Sequence, residues 1–227
     1  MFGYFNDNIG YILNDQKTKT LIGIDFGEYE KSKKVVEILE NFTESKLKYI
    51  MTTHSHWDHA GGNKAWKGDK KDEIKIISGD TKEDQIPFTD IFLKDEEEIN
   101  FGDIKIKCIH TPGHIGSHVC YFLSDNNLEN QNFVFTGDTL FSAGCGRVFS
   151  GTHKQMHDSL NRLMKFPLDT MIFCGHEYTL NNLKFALSLE PDNENIKNKI
   201  TQTEDLFKEG MFSMGSTIED EITYNPF

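Results

Sequence analysis

Between Tyr49 and Asn63 the chain reads YIMTTHSHWDHAGGN: an apolar run ends on His54, His56, Asp58 and His59, then opens onto glycines. Histidines two apart on an extended loop point to the same side, so His54 and His56 can chelate one cation. Asp58 and His59 follow where the chain turns toward a helix, and they can face a second cation. Imidazole and carboxylate are donors that borderline divalent metals accept. Four such side chains in six positions, directly after a strand-like run, are far more than a chance cluster of polar loop residues.

Two metals need more than four ligands, and the chain repeats the setting. His110, His114 and His118 follow an apolar run in IKCIHTPGHIGSH, Asp138 ends another in FVFTGDTLF, and His176 ends a third in MIFCGHEYT. Each run meets a glycine, and small residues there let a loop approach a buried ion closely. In layered α/β folds strand ends gather on one rim, so these loops are expected to converge. His114, on a Pro-Gly turn, is the ligand of its group. His110 lies inside the strand-like stretch and reads as structural. His118 opens the next strand and can orient a ligand, because metal-binding imidazoles usually have a partner on their other nitrogen. His153 and His157 fall on a helix and read as solvated. Asp25, ending TLIGID, is either a carboxylate that supports a ligand or a turn residue.

Strand-like runs recur at Thr20–Asp25, Leu47–Thr52, Ile74–Ser78, Ile104–Ile109, His118–Leu123, Phe133–Thr136 and Thr170–Cys174. Several are continuously apolar, as in sheets covered on both faces. Helical stripes lie between them: Val35, Ile38, Leu39 and Phe42, then Met156, Leu160, Leu163 and Met164. The expectation is an α/β layered domain over residues 1–176. Residues 177–227 change texture: a stripe of Leu180, Leu183 and Leu187, a break at Pro191, a polar helix over Asn195–Lys208, and an extended ITYNPF tail.

A net charge of −12 argues against nucleic acid and anionic membrane as partners. No run is long and apolar enough to span a bilayer, and the N-terminus has no secretory pattern, so a cytosolic protein is expected. Cys108, Cys120 and Cys174 sit in apolar runs and read as reduced core thiols, while Cys145 lies in a Gly-rich loop.

With these residues in hand, the chain resembles the metallo-β-lactamase superfamily, whose hallmark is H-x-H-x-D-H with a later His, Asp and His. Within it the chain looks like glyoxalase II, the hydroxyacylglutathione hydrolases. THSHWDHAGGN, TPGHIGSHVCYF, FTGDTLFSAGCGR, CGHEYTLNNLKFA, LEPDN and ITYNPF carry the resemblance over nearly the whole sequence. It implies an αββα sandwich with a short C-terminal helical appendage that binds substrate. It places one metal on His54, His56 and His114, a second on Asp58, His59 and His176, and Asp138 between them. The metals would be zinc, with iron or manganese as alternatives. A hydroxide held by Asp58 and Asp138 would hydrolyse the glutathione thioester S-D-lactoylglutathione to D-lactate and glutathione, the second step of methylglyoxal detoxification.

Arg147, Phe149 and Tyr178 would contact the glutathione. Phe149 stands where the family usually has Tyr, and Ser55 where a non-ligand His is common. The family also continues past Asn-Pro-Phe into a helix with a basic cluster, and its first strand starts earlier. The sequence ends at Phe227, so the appendage is expected to be shortened. The rival readings are a glutathione persulfide dioxygenase, a β-lactamase or lactonase, and a metal- or glutathione-binding module without catalysis. Oligomeric state is not written in the sequence.

Overall fold

A computed structural model describes residues 1–69, 73–81, 85–124 and 131–227. The first sheet takes β1 (Phe2–Tyr4), β2 (Asn8–Asp15), β3 (Thr20–Ile24), β4 (Lys46–Met51), β5 (Lys75–Gly79) and β6 (Ile91–Leu93), side by side in that order. β1, β2 and β3 are antiparallel, and β3 to β6 are parallel. The second sheet contains β7 (Glu98–Phe101), β8 (Ile104–His110), β9 (Val119–Ser124) and β10 (Asn132–Gly137) as an antiparallel meander. A hairpin of β11 (Leu140–Phe141) and β12 (Gly144–Cys145) follows, and β13 (Met171–Cys174) returns parallel to β10 at the sheet edge.

Alternation explains the layers. Ile22, Ile24, Met51 and Ile77 face Ile106, Cys108, Tyr121 and Phe135 across the gap between the sheets. Leu21, Ile50, Ile74 and Ile76 point the other way, toward α1 (Tyr29–Thr43) and α3 (Asn63–Asp69), where Val36 and Trp66 meet them. On the second sheet Ile109, Cys120, Val134 and Ile172 cover α4 (His153–Leu163) through Met156, Leu160 and Leu163. The result is the expected helix–sheet–sheet–helix sandwich, with each buried aliphatic side chain contributing roughly 1.5–3 kcal/mol. The short α2 (Trp57–Ala60) sits at the rim.

Three helices complete the chain: α5 (Thr179–Leu189), α6 (Glu194–Lys208) and α7 (Ile218–Tyr224). They share a small core of Leu183, Ala186, Ile196 and Tyr224 with Ala143 of the hairpin. Two expectations need correcting. The first half of ITYNPF is not extended: a capping box of Thr217 and Asp220 starts a helix that runs through Tyr224. On α1 the buried face centres on Ser32 and Val36, and Ile38 and Phe42 are exposed. Ile38 lies two residues, about 200° of helical rotation, from Val36 and so faces the opposite side. Among the described residues, no helix is long and apolar enough to cross a membrane.

Candidate metal centre

Every predicted ligand stands just past a strand end, on one rim of the sandwich. The loop after β4 delivers His54 and His56, and α2 begins at once, so its first turn presents Asp58 and His59. The loop between β8 and β9 carries His114. β10 ends on Gly137, whose φ of +47° turns the chain so that Asp138 faces the rim, and β13 leads through Gly175 to His176. The conformation at Gly137 is one that other residues rarely adopt.

The ring nitrogens form two groups. His56 Nδ1 lies 3.1 Å from His54 Nε2 and 3.0 Å from His114 Nε2. In the other group His59 Nε2 is 3.2 Å from His176 Nε2, which is 3.4 Å from Asp58 Oδ2. Asp138 stands between them, with Oδ1 3.3 Å from His59 Nε2 and Oδ2 3.4 and 3.5 Å from His176 and His114.

The outer nitrogens decide what these contacts are. His59 Nδ1 donates to Asp25 Oδ2 at 2.9 Å, His176 Nδ1 to Asp7 Oδ1 at 2.9 Å, and His114 Nδ1 to the Arg147 carbonyl at 2.7 Å. Thr53 Oγ1 gives its proton to Asp25 Oδ2 at 2.8 Å, so it accepts from His54 Nδ1 at 3.0 Å. In the neutral tautomers that metal binding requires, assigned from these partners, four imidazoles turn bare Nε2 lone pairs inward. Lone pairs about 3 Å apart with no proton between them repel, and a cation removes that repulsion. Tetrahedral bonds of about 2.0–2.1 Å put ligand nitrogens roughly 3.3 Å apart, close to what is seen. Buried Asp138 Oδ1 has no hydrogen-bond donor, as fits an oxygen meant for an ion. The donor set therefore fits two divalent ions of the borderline type.

The field in the site is uneven. Burial, reinforced by His59, His118 and neighbouring rings, pushes His54 well below the ordinary histidine value, and burial lowers His114 as well. Burial opposes protonation of His59 too, but Asp138 and Asp25 outweigh it and raise the ring to about 9. His176 is also raised, against its burial, chiefly by Asp138. Burial alone would raise the Asp138 carboxyl, yet His59, His176 and His114 hold it well below the usual range.

Beside the centre lies a cleft of about 450 Å³ whose walls include Trp57, Phe141, Arg147, Phe149 and Tyr178. The Arg147 guanidinium sits 5.1 Å over the Phe149 ring, and that ring packs edge-on against His56 and His114. Tyr178 stacks on His176 with centroids 4.8 Å apart. The seven candidate ligands and the three candidate substrate contacts thus meet in one place. A larger apolar cavity of about 690 Å³, lined by Tyr11, Leu13, Phe133, Phe135 and Phe173, opens at the opposite end of the strands, and none of the candidate metal groups lies there.

Several partners were not legible. Asp7, in the turn before β2, and Asn8, the first residue of β2, reach His176 and Asp58; Asn8 Nδ2 lies 3.0 Å from Asp58 Oδ2. Asp25 resolves as the carboxylate beneath His59 and also accepts the Thr53 amide at 2.8 Å. His118 orients Asp138 through the main chain: its Nε2 accepts the Asp138 amide at 3.0 Å. Glu221, fully buried on α7, accepts the Ala143 amide at 2.8 Å and the Asn225 side-chain amide at 2.9 Å. Asn225 also donates to the Gly144 carbonyl, and Asn182 to that of Ser142. The C-terminal helices thereby clasp the β11–β12 hairpin that leads to Arg147. His110 on β8 and the exposed His153 and His157 on α4 stay outside the centre, as expected.

The layers and the two-part ligand set define a class, and the model described as "Metallo-beta-lactamase superfamily" matches residues 20–176. The model described as "Hydroxyacylglutathione hydrolase C-terminus" matches residues 177–227. Hydroxyacylglutathione hydrolase of Pelagibacter ubique is 38% identical, with 97% of this chain and 88% of that protein covered. The Dictyostelium discoideum enzyme of the same name is 40% identical, covering 97% and 82%. Among solved structures, ETHE1 from Myxococcus xanthus shares the fold, with a TM-score of 0.70 at 22% identity over 96% of this chain and 78% of that one. The chain belongs to the hydroxyacylglutathione hydrolase family of the metallo-β-lactamase superfamily.

Proposed function

We propose that this protein is a dinuclear-metal thioesterase that hydrolyses S-D-lactoylglutathione to D-lactate and glutathione. One observation carries the reading: two three-ligand groups share Asp138 beside a cleft walled by Arg147, Phe149 and Tyr178. His54, His56 and His114 would hold one ion, Asp58, His59 and His176 the other, and Asp138 both. Zinc suits the set, with iron or manganese taken according to supply. The ions would supply an activated water and an electrophilic contact for the thioester carbonyl.

The chain's own residues prepare that chemistry. Asp25, Asp7, Thr53 and the Arg147 carbonyl fix the rings so that lone pairs face inward. Asp138 stays ionised, and with Asp58 it orients the attacking water. Arg147 offers the glutathione a positive charge, while Phe149 and Tyr178 pack its peptide. Residues 1–176 would supply the ligands, and 177–227 would supply Tyr178 and the clasp on the hairpin. The free, largely buried thiols suit a cytosolic setting.

The test combines metal analysis with thioester loss in the ultraviolet. Two ions per chain and turnover of S-D-lactoylglutathione are expected. Two bound ions with no hydrolysis would favour a binding module, and oxygen uptake with glutathione persulfide would favour a dioxygenase.

A further inference from the structure

The rim of the cleft carries two aromatic rings that the proposed reaction leaves without a task. Trp57, between ligands His56 and Asp58, is 68% exposed and lines the cleft. Phe5 stands beside it, 45% exposed, with ring centroids 4.8 Å apart. Neither ring belongs to the buried clusters that hold the sandwich together.

Their placement is fixed from below. Phe5 has φ of +49°, a conformation that bulky residues seldom adopt. The Tyr4 ring packs edge-on against it at 5.3 Å, and the Tyr4 hydroxyl donates to the main-chain oxygens of Asp25 and Asp58, each at 2.9 Å. The pair is therefore anchored to the loops that set His59 and Asp58. Two exposed apolar rings held at the mouth of a cleft, one of them on a strained backbone, point to a ligand that covers them.

The chemistry of that ligand follows by elimination, and it rests on the function proposed above. Arg147, Phe149 and Tyr178 serve the glutathione portion, which leaves the acyl group for Trp57. A lactoyl group ends in a single methyl and leaves most of the indole and the Phe5 ring in water. An aromatic acyl group in the same place stacks on both. We propose that Trp57 and Phe5 form an acyl-binding platform that makes 2-hydroxyacyl glutathione thioesters with an aromatic side chain preferred substrates. The reaction is unchanged: water breaks the carbon–sulfur bond and yields the aromatic 2-hydroxy acid and the free thiol.

Steady-state kinetics on the metal-loaded protein test this with S-D-lactoylglutathione and S-(2-hydroxy-3-phenylpropanoyl)glutathione. The wild type should show the lower KM for the aromatic thioester. In Trp57→Ala and Phe5→Asn, the aromatic-to-lactoyl ratio of kcat/KM should fall about five-fold, as expected for loss of an aromatic pair. Phe5→Asn tolerates the positive φ, so its effect reads the ring and not the turn. A wild type without aromatic preference, or variants that keep the ratio, overturns the platform.

A second readout is independent of turnover. The chain has two tryptophans, and Trp66 is buried in the helix-facing core, so Trp57 is the residue that responds to rim ligands. Titration with 2-hydroxy-3-phenylpropanoate should shift the emission of the wild type and not of Trp57→Phe. If neither thioester is hydrolysed but the emission shifts, the reaction reading fails and the platform stands. No shift at saturating acid overturns the platform whatever the activity.

Discussion

The main-chain amide of Asp138 donates to Nε2 of His118 at 3.0 Å, so the carboxylate shared by both ligand groups hangs from a histidine outside both. His118 Nδ1 in turn meets the hydroxyls of Thr111 and Thr139 at 3.1 and 3.0 Å, which fixes the ring. His118→Phe keeps the volume but leaves a buried amide without an acceptor, at a cost of about 1–3 kcal/mol. Metal affinity should drop roughly 10- to 100-fold, as for other supporting residues of metal sites, and activity with it. Metal titration with a chromophoric competitor reads the first effect.

Asp25 supports His59 and Thr53 together. Asp25→Asn should therefore weaken one ion more than the other. Dialysed protein is expected to retain about one ion where the wild type keeps two. Retention of both with full activity would show that the His59 partner is dispensable.

The pH dependence of the metal-free protein has a definite sign. His59 is raised from 6.5 to about 9 by Asp138 and Asp25, against its burial, so between those values the folded state holds a proton that the unfolded state has lost. Its contribution is complete below pH 6.5 and disappears as pH climbs through 9. His54 and His118 act oppositely: burial depresses both, so stability falls as pH drops below 6.5. Thermal unfolding of the chelated protein should peak just below neutrality. Metal binding at pH 7.5 must displace the His59 proton, so calorimetry in two buffers should register about one proton released.

Glu221 ties α7 to the β11–β12 hairpin. Glu221→Ala leaves the buried Ala143 amide without its acceptor and removes one of the contacts of the Asn225 side chain, and urea unfolding should show a loss of about 1–3 kcal/mol. Because the hairpin leads to Arg147, KM for the thioester should rise while metal content holds at two.

The convergence of the candidate ligands was legible because each sits where an apolar run meets a glycine, a boundary visible in one dimension. Their supports were not. Asp7 and Asn8 lie where a polar turn opens into β2, which nothing local distinguishes, and they matter only because β2 runs beside the loop after β13. Asp25, at the end of an apolar run, fits a turn residue as well as a supporting carboxylate, and only the fold, which brings His59 against it, separates the two. The tail was misread because ITYNPF suggests β-branched and aromatic strand residues. Thr217 and Asp220 carried the helix-start signal one turn earlier. Ile38 and Phe42 fit a helical stripe that the sheet does not face.

The clasp also bears on how the protein is made. All seven candidate ligands lie at or before His176, whereas Glu221 and Asn225, which fix the hairpin beside Asp138, come far later in the chain. The order of synthesis therefore places every candidate ligand ahead of the residues that brace the cleft wall.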